Sequence, residues 1–467
     1  MKALSKYANT CDRLSLAALC LFAGECVLGS SGRWLSFGAI SIRIALFMVC
    51  FFLTLPNVLV NFRRLLGNTF VKFALLFGFY LAVAAVIGWR RGNSLGFIKA
   101  DITGLLSLAL LPGFLATVYN RKRLNLLVDI VFYCSLALGA VTAGIHFYAA
   151  FAPGAAINSL NTWLNAHAMG GLAALGTGLQ RIYIRSQIFL QVGILLGLHR
   201  AWRCDGRKRW LLLGCVALIA FACLLTYTRG FWLGLVVSAM VLLALTPAHW
   251  KRYLISVCLL GAMILGLFAL SWGAYGKPYA AQELVGRFNP NLVSGAIIPI
   301  DPNQPSNPSD ATDPSASTAP TKPTEPTEPD ANLAALELRQ KTLQELNRLI
   351  GEEPILGNGL GTNLDGLRDD GKTEYMYHDM LMKTGFVGFA LFLAVFFLPA
   401  AFLIKKHLGL LKNRAPIPWD SPQMGNIILA AAFVGVAITS YVNPFLINPM
   451  GILLVMLLSA ANQCQEA

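Results

Sequence analysis

Long apolar runs recur through most of the chain and leave little choice of fold. A helix that crosses a bilayer needs about 17–25 mostly apolar residues, and about twelve runs here reach that length. Because lipid offers no partners for backbone N–H and C=O groups, each run is predicted to be a helix. The sequence therefore predicts an all-α, polytopic membrane protein. The predicted transmembrane helices are residues 14–30, 34–55, 71–89, 102–119, 125–150, 184–200, 210–227, 231–246, 254–272, 384–404, 425–441 and 448–463.

Composition supports this class and argues against nucleic acid as a partner. Hydrophobic residues make up 56% of the chain and charged residues only 13%, whereas about a quarter of the residues in a soluble domain are charged. The formal net charge is +14, but the basic residues lie in short loops between apolar runs and form no single stripe. They therefore indicate membrane topology first. The ten cysteines show no metal-type spacing, so we expect no metal and no cofactor.

The loops that carry most of the basic residues predict the orientation. Cytoplasmic loops are enriched in Lys and Arg. An even number of spans then leaves both termini in the cytoplasm. Arg90 and Arg91 are the exception, because they fall in a loop that this topology places outside. With the N-terminus inside, the basic clusters on the cytoplasmic side are residues 63–64, 121–123, 200–209, 251–252 and 405–414.

One large segment outside the membrane divides the chain. Residues 1–272 hold predicted transmembrane helices 1–9, and residues 384–467 hold helices 10–12. Between them, residues 273–383 form the predicted extracytoplasmic loop. Its middle, residues 299–330, is rich in Pro, Ser, Thr and Asp without apolar periodicity, and is expected to be a disordered insert. Residues 331–383 are the predicted ordered, catalytic part.

The ordered part of the loop begins with an amphipathic helix that carries a misplaced arginine. At helical spacing, Arg339 falls on the apolar face formed by Leu336, Leu343, Leu346 and Ile350. We expect Arg339 either to bind an anionic group or to pair with a nearby acid of residues 365–370. The glycine-rich stretch 357–361 follows. It is predicted to form a turn, with a phosphate-binding loop as the weaker alternative.

Several other polar residues are predicted at the outer face. His378 lies just before the tenth predicted span, where a histidine near pH 7 could act as a base. Arg229 lies in the tight hairpin between two spans, and Arg185 and Arg181 precede the sixth span. Each of these arginines either binds an anion or anchors the chain at the membrane surface. His146 and His167 are the competing outer-side histidines. Arg43 is predicted to lie inside the second span and to pair with Glu25 or Asp101.

The order of these features resembles one family over roughly residues 211–404. A T-x-T-R motif ends at Arg229, an Arg339-bearing loop helix follows, and then come P-I-L-G-N-G-L-G, His378–Asp379 and a span that begins K-T-G-F-V-G. This pattern is similar to the O-antigen ligase and O-antigen polymerase superfamily of integral membrane glycosyltransferases. The sequence departs from the pattern at Thr228, where Ser is commoner, and at Asp379, where Asn is commoner.

The resemblance implies roles for individual residues. It implies that His378 takes the proton from the acceptor hydroxyl, and that Arg229 and Arg339 bind the donor diphosphate, with Arg185 as a less certain third. It also implies a polyprenyl-diphosphate-linked glycan as donor, of the undecaprenyl type, in the cytoplasmic (inner) membrane, with the active site on the extracytoplasmic face. Direct attack on the anomeric carbon would make the enzyme inverting, and arginines can replace a metal.

Three acceptors and two other function classes stay open at this point. A lipid acceptor makes the protein a ligase, a second lipid-linked glycan makes it a polymerase, and a protein hydroxyl makes it an O-oligosaccharyltransferase. The rival class is a transporter or flippase of lipid-linked glycans, which would place charges along a path through the spans. A third class is a non-catalytic scaffold. The transferase hypothesis requires Arg229, Arg339 and His378 to lie around one cavity.

Overall fold

Helices make up most of the chain. The computed structural model describes residues 2–37, 40–175, 179–288, 328–364, 373–412 and 417–466. Two short antiparallel hairpins pair β1 (Ser36–Phe37) with β2 (Ile40–Ser41) and β3 (Gly170–Ala174) with β4 (Gln180–Ile184). The α-helices are α1 (Lys2–Leu28), α2 (Ile42–Val60), α3 (Phe62–Gly67), α4 (Thr69–Arg90), α5 (Leu95–Leu105), α6 (Leu111–Thr117), α7 (Arg121–Phe151), α8 (Gly154–Ala166), α9 (Ile188–Arg203), α10 (Gly206–Leu225), α11 (Arg229–Leu245), α12 (Trp250–Tyr275), α13 (Tyr279–Phe288), α14 (Glu328–Glu352), α15 (Met376–Lys412), α16 (Pro422–Thr439) and α17 (Pro449–Glu466).

Within the described residues, eight helical segments are long and apolar enough to cross a membrane. Two shorter apolar helices accompany them, Arg229–Leu245 and Pro449–Cys464. The multi-pass, mostly helical class predicted from the sequence is therefore confirmed. The eight segments are Ile42–Val60, Thr69–Arg90, Leu95–Thr117, Arg121–Phe151, Gly206–Leu225, Pro247–Tyr275, Met376–Gly409 and Pro422–Thr439.

Each predicted span overlaps a helix, but twelve crossings stay a prediction. The predicted span 34–55 begins differently in the structure. Its first residues form the β1–β2 hairpin, and α2 begins only at Ile42, where the Ser41 side chain accepts a hydrogen bond from the Ile44 amide at 3.4 Å. Arg43 consequently lies in the first turn of α2, at the very start of the spanning segment Ile42–Val60. Its Nε is 2.7 Å from Glu25 Oε2, so Glu25 is its partner.

α16 lies at the centre of the bundle and α12 at its edge. The apolar window of α16 is 72% buried inside the protein, whereas that of Pro247–Tyr275 is 11% buried. α12 exposes large apolar side chains such as Val257 and Leu265, as α4 does with Phe79. Water would not tolerate so many exposed apolar side chains, so these faces are suited to lipid. α16 packs against α11, α9 and α15, which places its two ends beside several loops.

The large loop is described only in part. The insert predicted at 299–330 lies outside the described residues, except that α14 already begins at Glu328. Leu346 of α14 packs in one buried cluster with Leu364 and Met382, so the apolar face predicted for this helix contacts the start of α15. α15 begins at Met376, earlier than the predicted span, and kinks at Gly385 (φ 60°, ψ −174°), next to the predicted span start at residue 384.

Candidate functional site

His378 lies in the first turn of α15, between two tyrosine rings. The Tyr375 and Tyr441 ring centroids are 6.1 Å and 5.9 Å from the imidazole centroid, both edge-on. The residue is partly exposed, but its Nδ1 is buried and has no hydrogen-bond partner among the described residues. A buried polar atom left unpaired costs free energy, so such an atom is a candidate for contact with a bound group.

A buried ion network holds the segment that carries His378. Lys383 Nζ lies 3.0 Å from Asp379 Oδ2, one turn earlier on α15, and 3.0 Å from Asp101 Oδ1 on α5. The other Asp101 oxygen accepts a hydrogen bond from the Gly361 amide at 2.8 Å. Because a buried charge is tolerated only when it is paired, this network ties α5, α15 and the glycine-rich loop together.

The glycine-rich loop 357–361 is a structural turn and not a phosphate cradle. Five consecutive amides already donate to protein acceptors, so none of them is free for a ligand. The acceptors, in chain order, are the carbonyl oxygens of Glu353, Met382, Lys383 and Ala84, and a carboxylate oxygen of Asp101. The glycine-rich stretch therefore forms a turn, as its sequence predicts.

Gly385 shows why this loop and the kink of α15 belong together. An ideal Cβ at Gly385 would lie 2.3 Å from the Ile355 carbonyl oxygen and 2.5 Å from the Gly357 nitrogen. Phe386 N donates to Pro354 O at 2.7 Å across the same contact. Only a residue without a side chain fits there with a positive φ. The K-T-G motif therefore fixes the loop onto the kink just after His378.

Arg229 is the first residue of α11, and its side chain is exposed. Nothing in the described part of the chain forms a hydrogen bond or ion pair with its guanidinium. The turn before it is held by Arg181 of β4, whose Nε donates to Thr226 O at 3.0 Å and whose Nη2 donates to Thr228 Oγ1 at 3.1 Å. Arg181 therefore positions the turn, while Arg229 presents an unpaired charge.

The C-terminal end of α16 connects Arg229 to His378. Thr439 Oγ1 donates to the Gly230 carbonyl oxygen at 3.0 Å, directly after Arg229. Two residues further along the chain, Tyr441 contacts the His378 ring. Both residues are therefore at one end of the bundle, and each contacts the short stretch from Thr439, the last residue of α16, to Tyr441.

Arg339 is linked to the region of His378 through an ion pair with Glu374. Its Nε lies 3.0 Å from Glu374 Oε2, and both side chains are well exposed, at 56% and 35%. Glu374 directly precedes Tyr375, which contacts His378. The acids at 365–370 that were expected as alternative partners lie outside the described residues. An exposed pair of this kind contributes little to stability, which leaves the Arg339 charge available to a ligand.

The structure does not bring Arg185 into contact with these residues. Arg185 follows β4, its backbone amide donates to Met169 O and Ser30 Oγ, and its side chain is exposed. Among the described residues its guanidinium contacts none of the other predicted site residues. Its link to the site is indirect, through Arg181, which lies four residues earlier in β4.

The two competing histidines have other surroundings. His146 is buried among aromatic rings, with Nε2 2.8 Å from Ser271 Oγ. The Nδ1 of His167 is 2.8 Å from the carbonyl oxygen of Trp163, at the end of α8. Neither ring contacts the described site residues, so His378 is the histidine of this region that the structure places next to the loop and the arginine-bearing elements.

Sequence reasoning missed three contributors to this site. Lys383 and Asp101 pair across 282 residues, and Tyr441 contacts His378 across 63, so no local pattern predicts either contact. A lysine at the start of an apolar span was the one available signal for a buried ion pair. No group of three or more His, Cys, Asp or Glu side chains in the described ranges is arranged to hold a metal.

Comparison with known proteins gives one match. Residues 214–393 match the family described as O-antigen ligase. This segment contains Arg229, Arg339 and His378 and agrees closely with the range of the resemblance read from the sequence. Arg185 lies outside it. The same comparison found no match among curated proteins or among solved structures.

Proposed function

We propose that this chain, whose residues 214–393 match the O-antigen ligase family, transfers a glycan from a polyprenyl diphosphate to an acceptor hydroxyl. The proposal places the site at the extracytoplasmic face of the cytoplasmic membrane, with both termini in the cytoplasm. The basic loops at the other end of the bundle support this orientation. One observation carries the proposal: an unpaired imidazole nitrogen of His378 lies at the same end as the unpaired charge of Arg229.

The proposed chemistry is a single displacement at the anomeric carbon. The acceptor oxygen attacks that carbon, His378 accepts the hydroxyl proton, and the bond from the anomeric carbon to the phosphate oxygen breaks. The polyprenyl diphosphate leaves with the bonding electron pair. The configuration inverts because the nucleophile enters opposite the leaving group. A positioned base of this kind contributes about 10²–10⁴-fold to the rate.

Arginines suit the donor diphosphate in this scheme. The leaving group gains negative charge as its bond breaks, and guanidinium groups stabilise such charge through paired N–H donors. Arg229 is the first candidate, since it has no described partner. To bind phosphate, Arg339 must first break its ion pair with Glu374. This costs little free energy because the pair is exposed. Arg185 is the third and most distant candidate. Metal-independent transfer remains part of the proposal.

The test is transfer by the purified protein in lipid nanodiscs, using a synthetic undecaprenyl-diphosphate-linked glycan. His378→Gln is compared with His167→Gln, a histidine with its own backbone partner. We expect His378→Gln to lower the transfer rate by about 100-fold or more while His167→Gln stays at wild-type level. Transfer by His378→Gln at the wild-type rate would refute the mechanism.

The acceptor is identified in the same assay. Lipid A-core, a second lipid-linked glycan and a hydroxyl-bearing peptide are offered separately, which distinguishes a ligase, a polymerase and a protein O-oligosaccharyltransferase. The flippase alternative predicts movement of the labelled donor across the bilayer without a new glycosidic bond. Donor movement without any transfer product, for all three acceptors, would favour that alternative.

A further inference from the structure

A polar cavity lies at the end of the bundle opposite His378. It has a volume of about 180 Å³ and lies between the start of α7, the end of α9 and the start of α16. α16 runs from this cavity to Thr439, two residues before Tyr441 at the His378 site. Its 18 residues span about 27 Å at 1.5 Å per residue, so the two sites are well separated. Every lining residue is outside 214–393, so the family match does not explain the cavity.

The cavity is lined by three guanidinium groups and two carboxylates. Arg200 forms an ion pair with Asp129, which neutralises one charge of each sign. Asp420 is exposed, and so is Arg203, which has no partner in the described part of the chain. Arg121 donates to Asn426 Oδ1 and to Pro422 O, both of which are neutral. The charge that remains in the cavity is positive.

Three buried nitrogen atoms around the cavity have no hydrogen-bond partner among the described residues. They are Nε of Arg121, Nδ1 of His199 and Nδ2 of Asn426. His199 is 8% exposed and Asn426 2% exposed, so both side chains are largely shielded from bulk solvent. The arginine and asparagine nitrogens can only donate, and the histidine nitrogen can donate in one tautomer. Several unpaired donors around one space suit a ligand with several acceptor oxygens.

Two helix N-termini add to this preference. The 31-residue α7 begins at Arg121 and the 18-residue α16 begins at Pro422, both at the cavity. The N-terminus of a long helix carries a partial positive charge and favours anions. Gly425 gives close access, because an ideal Cβ there would lie 3.0 Å from Arg121 Nη2 and 3.6 Å from His199 Nε2. Helix ends, free donors and net positive charge all favour the same kind of ligand.

We propose that this cavity is a binding site for a phosphate or diphosphate group, separate from the glycosyl-transfer site. The group comes either from the headgroup of an anionic lipid in the adjacent leaflet or from a soluble phosphate compound. On the predicted orientation this end faces the cytoplasm, where both sources exist. The residues that hold the phosphate are Arg121, His199, Arg203 and Asn426.

The test uses the full-length protein and two probes. Inorganic pyrophosphate is titrated against the detergent-purified protein, with its thermal unfolding and dissociation constant as readouts and sodium chloride at matched ionic strength as control. Native mass spectrometry then measures phosphatidylglycerol retained from nanodiscs of phosphatidylcholine and phosphatidylglycerol. Asn426→Asp is the main variant, because it keeps the Oδ1 acceptor for Arg121 while it replaces a donor by a negative charge.

Three further variants make the result specific. Arg203→Gln removes an exposed, unpaired charge and should fold normally. Arg207→Gln removes an exposed charge at the same end outside the cavity lining. Arg229→Gln distinguishes this cavity from the proposed donor site at the other end. We expect Asn426→Asp and Arg203→Gln to weaken binding about tenfold or more, and Arg207→Gln to bind as wild type does. Arg229→Gln should remove only the pyrophosphate that binds at the proposed donor site, and should leave the binding that Asn426→Asp removes.

Each outcome decides between the sources or refutes the site. Stabilisation by pyrophosphate that is lost in Asn426→Asp identifies a soluble phosphate ligand. No effect of pyrophosphate, with phosphatidylglycerol retained by wild type and lost by Asn426→Asp, identifies a lipid headgroup. If Asn426→Asp and Arg203→Gln retain both probes as well as wild type, or if Arg229→Gln alone abolishes binding, the cavity is not a phosphate site.

Discussion

Replacement of Lys383 by methionine removes a buried ammonium group that two carboxylates share. Lys383 is 3% exposed, and Asp101 and Asp379 are 16% and 10% exposed, with both Nζ–Oδ distances at 3.0 Å. Methionine fills a similar volume, so the change is mainly one of charge. The two aspartates would be left close together, poorly hydrated and without their shared cation. Each could remain charged only at a large cost.

The expected size of the effect follows from this burial. Removal of one partner from a buried ion pair costs about 3–5 kcal/mol, because the remaining charge loses its compensation. The cost should fall when one carboxylate is also neutralised. We therefore expect Lys383→Met/Asp379→Asn to be more stable than Lys383→Met, with a coupling free energy of about 0.5–3 kcal/mol. Since Asn is the commoner residue of the family pattern at position 379, the second change should be tolerated by the fold.

The assay is thermal unfolding of the detergent-purified protein at one fixed scan rate, followed by tryptophan fluorescence. Lys341→Met, on the exposed face of α14, is the matched control and should leave Tm unchanged. We expect Tm to fall clearly for Lys383→Met and to recover in part for the double variant. An equal Tm for Lys383→Met and Lys341→Met would show that the network does not stabilise the fold as argued.

Three other predictions concern the site. Arg229→Gln should lower kcat/KM for transfer about tenfold or more, as expected for loss of a charged hydrogen bond, with Tm unchanged; a rate equal to wild type would exclude a role with the donor. Tyr441→Phe should keep transfer activity and Tyr441→Ala should reduce it, because only the ring contacts His378. Gly88→Ala should lower both Tm and activity, since its Cβ would lie 2.0 Å from Leu360 O; a wild-type melting curve would contradict this close packing.

The apolar runs determined the helical membrane class from the sequence alone. Hydropathy is a local property, and a helix satisfies its own backbone hydrogen bonds in lipid. This is why each predicted span overlaps a helix, and why Arg339 was correctly placed on a helix before the glycine-rich turn. The ordered motifs around Arg229 and His378 also indicated the family that residues 214–393 match. The roles of these residues remain predictions.

Only the tertiary structure decided how the motifs are used. Gly357–Gly361 could have cradled phosphate by its composition, but its amides all donate to residues of α4, α5 and α15 and to Glu353, the residue after α14. The first residues of the predicted span 34–55 form the β1–β2 hairpin, and Arg43 forms an ion pair with Glu25. Such outcomes depend on which partners approach from distant parts of the chain, and periodicity along the sequence does not encode them.

The polar cavity between α7, α9 and α16 shows most clearly what the sequence predicts and what only the packing decides. Its arginines belong to basic loops, which in the sequence predict the orientation of the chain in the membrane. That Arg121, His199 and Asn426 meet around one space, with unpaired nitrogens and two helix N-termini, depends on the packing of α7, α9 and α16. The sequence predicted which segments form apolar helices because hydropathy is a local property of the chain. Only the structure shows which charged residues lie together, because long-range packing decides their positions.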